Sequence, residues 1–293
     1  MADHYIENES LRVGINEHGA EMVSIIEKGE MKEYMWNGDP AYWGRISPVL
    51  FPFVGKLNGQ KYVHNGVTYG DIPQHGFARD MHFNVVEKLD NTVFFELYPD
   101  DGLRSRYPFE FKLRIGYRVE GKSVHVMWTV ENKGGEDMYF SIGGHPAFMC
   151  EGGLEEYEIS FENPSLETLD SGELDENGVL KLEKRSISLN AGVLALNDAL
   201  FDKDALIFDS KAKGIYNATL RKKTGENVLR LRFDVPQLGI WSPAGKSAPF
   251  VCIEPWFGRC DKCDFEGELR DRQYGNFISP GHSFNKEYVI DIF

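Results

Sequence analysis

Apolar and polar residues alternate along much of the chain with a period of two. Leu11, Val13 and Ile15 are separated by Arg12 and Gly14, and the apolar stretch from Met22 to Ile26 follows Gly19 as the second arm of a hairpin. Lys61 to His64 and Val67 to Tyr69 flank Asn65-Gly66, a dipeptide that favours a tight hairpin turn. From Phe83 to Asn132 the pattern predicts successive antiparallel strands. In that stretch Phe111, Leu113, Ile115, Tyr117 and Val119 form one apolar face, and Val124, Val126, Trp128 and Val130 form another. Further strands are predicted over Ala205 to Phe208, Leu229 to Phe233, Leu238 to Trp241, Phe250 to Ile253 and Phe284 to Ile292. A single helical turn is predicted near Asn197 to Phe201. No long amphipathic helix, repeat or linker interrupts this series. Short strands at close spacing predict an all-β chain, with residues 1–293 forming one sandwich domain.

One stretch breaks the alternation. Ser47 to Leu57 is apolar but carries Pro48 and Pro52, which rules out a helix or a central strand and predicts an extended, semi-buried loop. Lys56 stands at its end, just before Asn58-Gly59, which reads as the turn of the next hairpin. It is either a solvated cation or one delivered to a polar pocket.

The net charge of −14 excludes a nucleic-acid partner, which needs a basic face. The first ten residues are charged and do not form a signal peptide, and no apolar run approaches membrane-spanning length. A cytoplasmic protein without a membrane partner is expected, with its four cysteines reduced. Cys260 and Cys263 have half of a zinc-site spacing but no second pair, so no metal is expected there.

The candidate chemistry lies where strands end. Ser141-Ile-Gly-Gly-His145-Pro runs a strand into two glycines and a histidine held from behind by proline. The glycines are expected to supply unusual backbone angles and a close approach to a ligand, leaving His145 poised for proton transfer. His75 precedes Gly76 and Phe77, close to Arg79. Glu254 ends the apolar run from Pro249 and is followed by Pro255 and Trp256. Desolvation there would raise its pKa and make it a better base, unless an arginine pairs with it. Trp256 offers an apolar face to a sugar ring or belongs to the core. Among the carboxylates near the Ala205 strand, Asp202, Asp204 and Asp209 are equally compatible with pointing into a site. No nucleophile elbow, phosphate loop or dinucleotide motif is present, so one acid and one base point to proton transfer.

Four motifs in order, Leu50-Phe-Pro52, Gln74-His-Gly-Phe-Ala-Arg79, Gly144-His-Pro-Ala-Phe148 and Cys252-Ile-Glu-Pro-Trp256, resemble the aldose 1-epimerase (galactose mutarotase) family over essentially the whole chain. The resemblance implies a β-supersandwich and exchange of the α and β anomers of a free hexose such as galactose or glucose. It requires no cofactor or metal. By resemblance His145 is the general acid and Glu254 the general base, and His75 contacts the ring-side oxygens. Lys56 replaces a substrate-binding arginine, Asp204 matches the sugar-binding aspartate, and Arg79 and Trp256 fall in the pocket. Hexose-6-phosphate mutarotation, with Arg45, Lys56 and Arg79 as phosphate cations, is the nearest alternative. A non-catalytic sugar-binding protein and a sandwich lyase or hydrolase are more distant ones. A monomer or a homodimer is expected.

Overall fold

A computed structural model describes residues 1–293. Two large antiparallel sheets dominate it. The nine-stranded sheet runs in the order Val193–Ala195, Tyr157–Ser160, Asn217–Lys222, Asn227–Phe233, Ser283–Ile292, Ser123–Asn132, Phe111–Glu120, Thr92–Leu97 and Asn84–Lys88. The eight-stranded sheet is centred on Phe250–Phe257. Gln237–Trp241 flanks that strand on one side, and Ile142–Gly144 and then Val49–Leu50 lie on the other; Ala147–Met149 pairs with it as well. A four-stranded sheet opens the chain with His4–Glu7, Leu11–Ile15, Met22–Glu27 and Lys32–Glu33. This is the all-β fold that the alternation predicts.

The two long strands Phe111–Glu120 and Ser123–Asn132 pair along their full length, and their apolar faces are buried. A core of 66 buried residues spans both sheets. Trp128 of the nine-stranded sheet meets Phe257 of the eight-stranded sheet edge-on, with ring centroids 6.5 Å apart. Burial on this scale is the main stabilising term for such a sandwich.

Three local features differ from the sequence reading. The Ser47–Leu57 stretch is more deeply buried than a semi-buried loop, because Phe51 packs among Phe77, Tyr107, Phe111 and Phe140. Its Val49–Leu50 segment forms an edge strand, a position compatible with neighbouring prolines. Asn58-Gly59 lies in a short 3-10 turn, and the hairpin closes at Asn65-Gly66, where both residues have positive φ. A helix, Asp101–Arg106, interrupts the strands expected between Phe83 and Asn132. Asp100 caps it by accepting from the Leu103 amide, a signal that Pro99-Asp-Asp101 carries in the sequence. The helical turn near Asn197 is present as Asp198–Phe201, with the Asn197 side chain as its cap.

Candidate active site

The centre of the eight-stranded sheet bears a cavity of about 390 Å³, within the range of small-molecule sites. Strand geometry brings His145 and Glu254 together in it. Gly143 pairs with Trp256 and Ala147 pairs with Cys252, so His145-Pro146 forms the break between two short strands that flank Phe250–Phe257. The Ile253 amide donates to the Pro146 carbonyl and holds that break against the strand. His145 therefore stands beside Glu254, with Nε2 3.2 Å from Oε2, although 109 positions separate them in the chain.

The glycines of this corner serve a purpose other than the one expected. Neither Gly143 nor Gly144 has positive φ. A Cβ on Gly143 would lie 2.5 Å from Trp256 Cδ1, and one on Gly144 would lie 2.9 Å from the Tyr288 hydroxyl. They are small because aromatic side chains press on the backbone.

Burial governs the electrostatics. Glu254 is 1% exposed, and its carboxyl is held well above the usual range, first by desolvation and then by the Asp204 carboxylate. No arginine pairs with it; His145 is the one basic side chain within ion-pair distance. Burial lowers His145 to about 3, and the Arg79 and Arg45 guanidiniums also disfavour its charged form. In the free site burial thus disfavours the charged form of both groups. Trp43 stacks on His145 with centroids 4.8 Å apart, and Trp241 meets the same ring edge-on.

His75 approaches from another wall, its ring edge-on to His145 at 5.5 Å. Its backbone has φ of 68°, uncommon for a side-chain-bearing residue, and Gly76 follows at 71°. A Cβ on Gly76 would strike the Phe51 carbonyl. The Gly55 amide donates to His75 Nδ1 over 3.0 Å, which assigns the ring proton to Nε2 in the neutral form. Burial, followed by the neighbouring His145 and Arg79, keeps that form favoured by lowering the His75 pKa well below its ordinary value.

Asp204, Arg79 and Trp256 also line the cavity. Asp202 and Asp209 do not; Asp209 instead accepts from the Ala212 amide and the Tyr274 hydroxyl. Arg79 donates to the Gln74 carbonyl, and both Arg45 and Arg79 reach Asp80. Lys56 is not among the lining residues. Its side chain packs against Gly178, which does line the cavity, and its Nζ lies 3.2 Å from where a Gly178 Cβ would stand. Trp43 and Trp241 line the cavity without having been singled out from sequence, and Cys260, considered there only as half of a zinc-site spacing, lines it as well. Trp43 sits in a turn-rich loop where no periodicity marks it, held there by the Trp36 indole donating to its carbonyl.

This cavity has a buried imidazole and a buried carboxyl group in contact, with His75, Asp204, Arg45 and Arg79 around them and indole walls. The aldose 1-epimerase family profile matches residues 4–288. The chain belongs to the aldose 1-epimerase family. Protein LacX (chromosomal) of Lactococcus lactis is 33% identical over 98% of both chains. A solved galactose mutarotase related enzyme from Lactobacillus acidophilus is 32% identical, covers 99% of this chain and 97% of its own, and superposes with a TM-score of 0.90. A galactose mutarotase-like protein from Lactobacillus casei is 30% identical over 99% of both chains, also with a TM-score of 0.90. The epimerase fold of this chain is therefore the galactose mutarotase-like one. No helix is long and apolar enough to cross a membrane.

Proposed function

We propose that this protein is a mutarotase that interconverts the anomers of a hexose, and that His145 and Glu254 exchange the protons. The observation that carries this reading is the 3.2 Å approach of His145 Nε2 to Glu254 Oε2 inside the cavity. Mutarotation removes a proton from the C1 hydroxyl and delivers one to the ring oxygen. Both oxygens are bonded to the same carbon, so the base and the acid must be neighbours. Hydrolysis of a glycosidic bond instead uses two carboxylates about 5 Å or more apart.

The proton count fits the chemistry. With Glu254 as carboxylate and His145 as imidazolium, Glu254 takes the C1 hydroxyl proton while His145 gives its proton to the ring oxygen. The C1–ring oxygen bond breaks as the aldehyde forms, leaving Glu254 protonated and His145 neutral. Rotation about C1–C2 presents the other carbonyl face, and closure returns both protons. The pair holds one proton throughout and alternates between its charged and neutral arrangements. Burial favours the neutral one. Sugar hydroxyls that donate to the Glu254 carboxylate, and the Trp43 face stacked on the imidazolium, favour the charged one.

His75 Nε2–H, Asp204 and Arg79 hold the remaining hydroxyls and Trp256 faces the ring. Lys56, placed behind Gly178, acts on the site at longer range as a positive charge. A second reading, a phosphorylated hexose, is favoured by Arg45 and Arg79 together lining the cavity with Asp80 as their shared carboxylate. Polarimetry on α-D-galactose and α-D-glucose, with anomer exchange of glucose 6-phosphate followed by NMR, separates the two. Acceleration of the free sugars, absent in His145→Asn, supports the first. Acceleration of the phosphorylated sugar alone moves the assignment to the second.

A further inference from the structure

A third donor, unused by the proposed reaction, lies behind the acid–base pair. Cys252 stands two residues before Glu254 on the strand Phe250–Phe257, so the two side chains share a face. Cys252 is fully buried. Its sulfur, a ring nitrogen of His145 and a carboxylate oxygen of Glu254 all lie within 4.8 Å of one another. Glu254 Oε2, 3.2 Å from His145 Nε2, makes no hydrogen bond of good geometry, nor does His145 Nδ1, although both residues are more than nine-tenths buried. Buried polar atoms are rarely left this way without a functional cause.

We propose that His145, Cys252 and Glu254 form a binding site for a thiophilic divalent cation of the zinc type, and that filling it inhibits the enzyme. One imidazole, one thiolate and one carboxylate make a donor set suited to Zn²⁺. Bonds of about 2.3 Å to sulfur and about 2.0 Å to nitrogen and oxygen place tetrahedral ligands roughly 3.3–3.8 Å apart. The His145 Nε2–Glu254 Oε2 separation of 3.2 Å is close to the lower end of that spacing, so closure of the site requires mainly a shift of the Cys252 sulfur. The fourth position opens to the cavity, through which the ion enters and where water completes the shell.

Charge balance favours the bound state. A thiolate and a carboxylate cancel the two charges of the cation, and the neutral imidazole adds none, so no net charge is buried. The ion binds the Cys252 thiolate and the Glu254 carboxylate, so it competes with protons for these ligands and affinity rises with pH. The ion also occupies the lone pairs that would carry protons during mutarotation. Inhibition thus rests on the proposed function, whereas metal binding does not.

The intact protein is titrated with Co²⁺, whose thiolate complex absorbs in the near ultraviolet. The band is expected in the wild type, lost in Cys252→Ala and Cys252→Ser, and retained in Cys263→Ser, which removes the exposed thiol. Both Cys252 variants keep the metal-free rate of anomer exchange within about twofold. They require at least about 10-fold more Zn²⁺ for half-inhibition, since even an outer partner of a ligand is worth about 10–100-fold in affinity. A cobalt band that survives in both Cys252 variants, or no band at saturating Co²⁺, overturns the site. A protein that shows the band but exchanges no sugar anomers keeps the site and refutes the mutarotase reading instead.

Discussion

Two buried pairs of basic and acidic side chains in this protein differ in how they are finished. Asp261 and Arg272 are both nearly buried, and the Arg272 Nε donates to Asp261 Oδ1 over 2.7 Å. Arg272 Nη2 donates to the Arg259 carbonyl, and the Asn58 amide donates to Asp261 Oδ2. Neither side chain has a buried polar atom without a partner. His145 and Glu254 are as deeply buried, yet His145 Nδ1 and Glu254 Oε2 are left without one. The first pair closes the Arg259–Gln273 loop on itself and, through the Asn58 amide, holds it to the turn that follows the Ser47–Leu57 stretch. The second is desolvated and under-bonded, which raises its free energy in the empty protein and leaves its lone pairs for a substrate. A satisfied buried pair maintains structure; an unsatisfied one beside a cavity is available for chemistry.

Four substitutions or conditions break or sharpen that contrast. Glu254→Gln removes the proton acceptor but keeps the shape, and anomer exchange measured by polarimetry is expected to fall about 10²–10⁴-fold. Asp261→Ala leaves Arg272 buried and unpaired, with an expected loss of about 3–5 kcal/mol in urea unfolding and little change in the turnover of the remaining folded protein. If Asp261→Ala instead left stability intact and reduced turnover, the contrast would be reversed.

Next comes pH. Glu254 holds its proton to higher pH in the fold than in the unfolded chain, so the folded state binds more protons between those two values. Stability should therefore fall as pH rises through that interval, and the melting-temperature advantage of Glu254→Gln over wild type should grow from acid toward neutral pH. His145 stays neutral down to about 3 while its unfolded counterpart titrates near 6.5, so its contribution is lost as pH drops through that window. A rate profile without an acid limb near 6.5 is expected, and a limb there would mean that His145 titrates as a free histidine. The smallest effect is expected from Trp43→Leu. Loss of its stacked face weakens the imidazolium by about 0.5–2 kcal/mol, or roughly 2- to 30-fold in rate, whereas Trp43→Phe should restore part of it.

Much of this molecule is readable residue by residue. Alternation located the long strands, Asn65-Gly66 located a hairpin, and a desolvated Glu254 followed from the apolar run before it. Other features left no local mark. Gly143 and Gly144 look like residues chosen for backbone angles, and only the packed neighbours Trp256 and Tyr288 reveal a steric cause. Asp204, Asp202 and Asp209 are indistinguishable in sequence, and only Asp204 lines the cavity. Trp43 and Trp241 enter the site from a loop and a neighbouring strand that carry no motif.

The division has a physical basis. Strand pattern, turn chemistry, charge and the immediate setting of each motif depend on neighbours within a few positions, and the sequence by itself determined them. The meeting of His145 with Glu254, the position of Lys56 behind Gly178, the choice among aspartates and the placing of Cys252 beside the acid–base pair depend on strand register and sheet order. Those are settled by packing across the whole core, where residues more than a hundred positions apart become neighbours, and only the tertiary structure decided them.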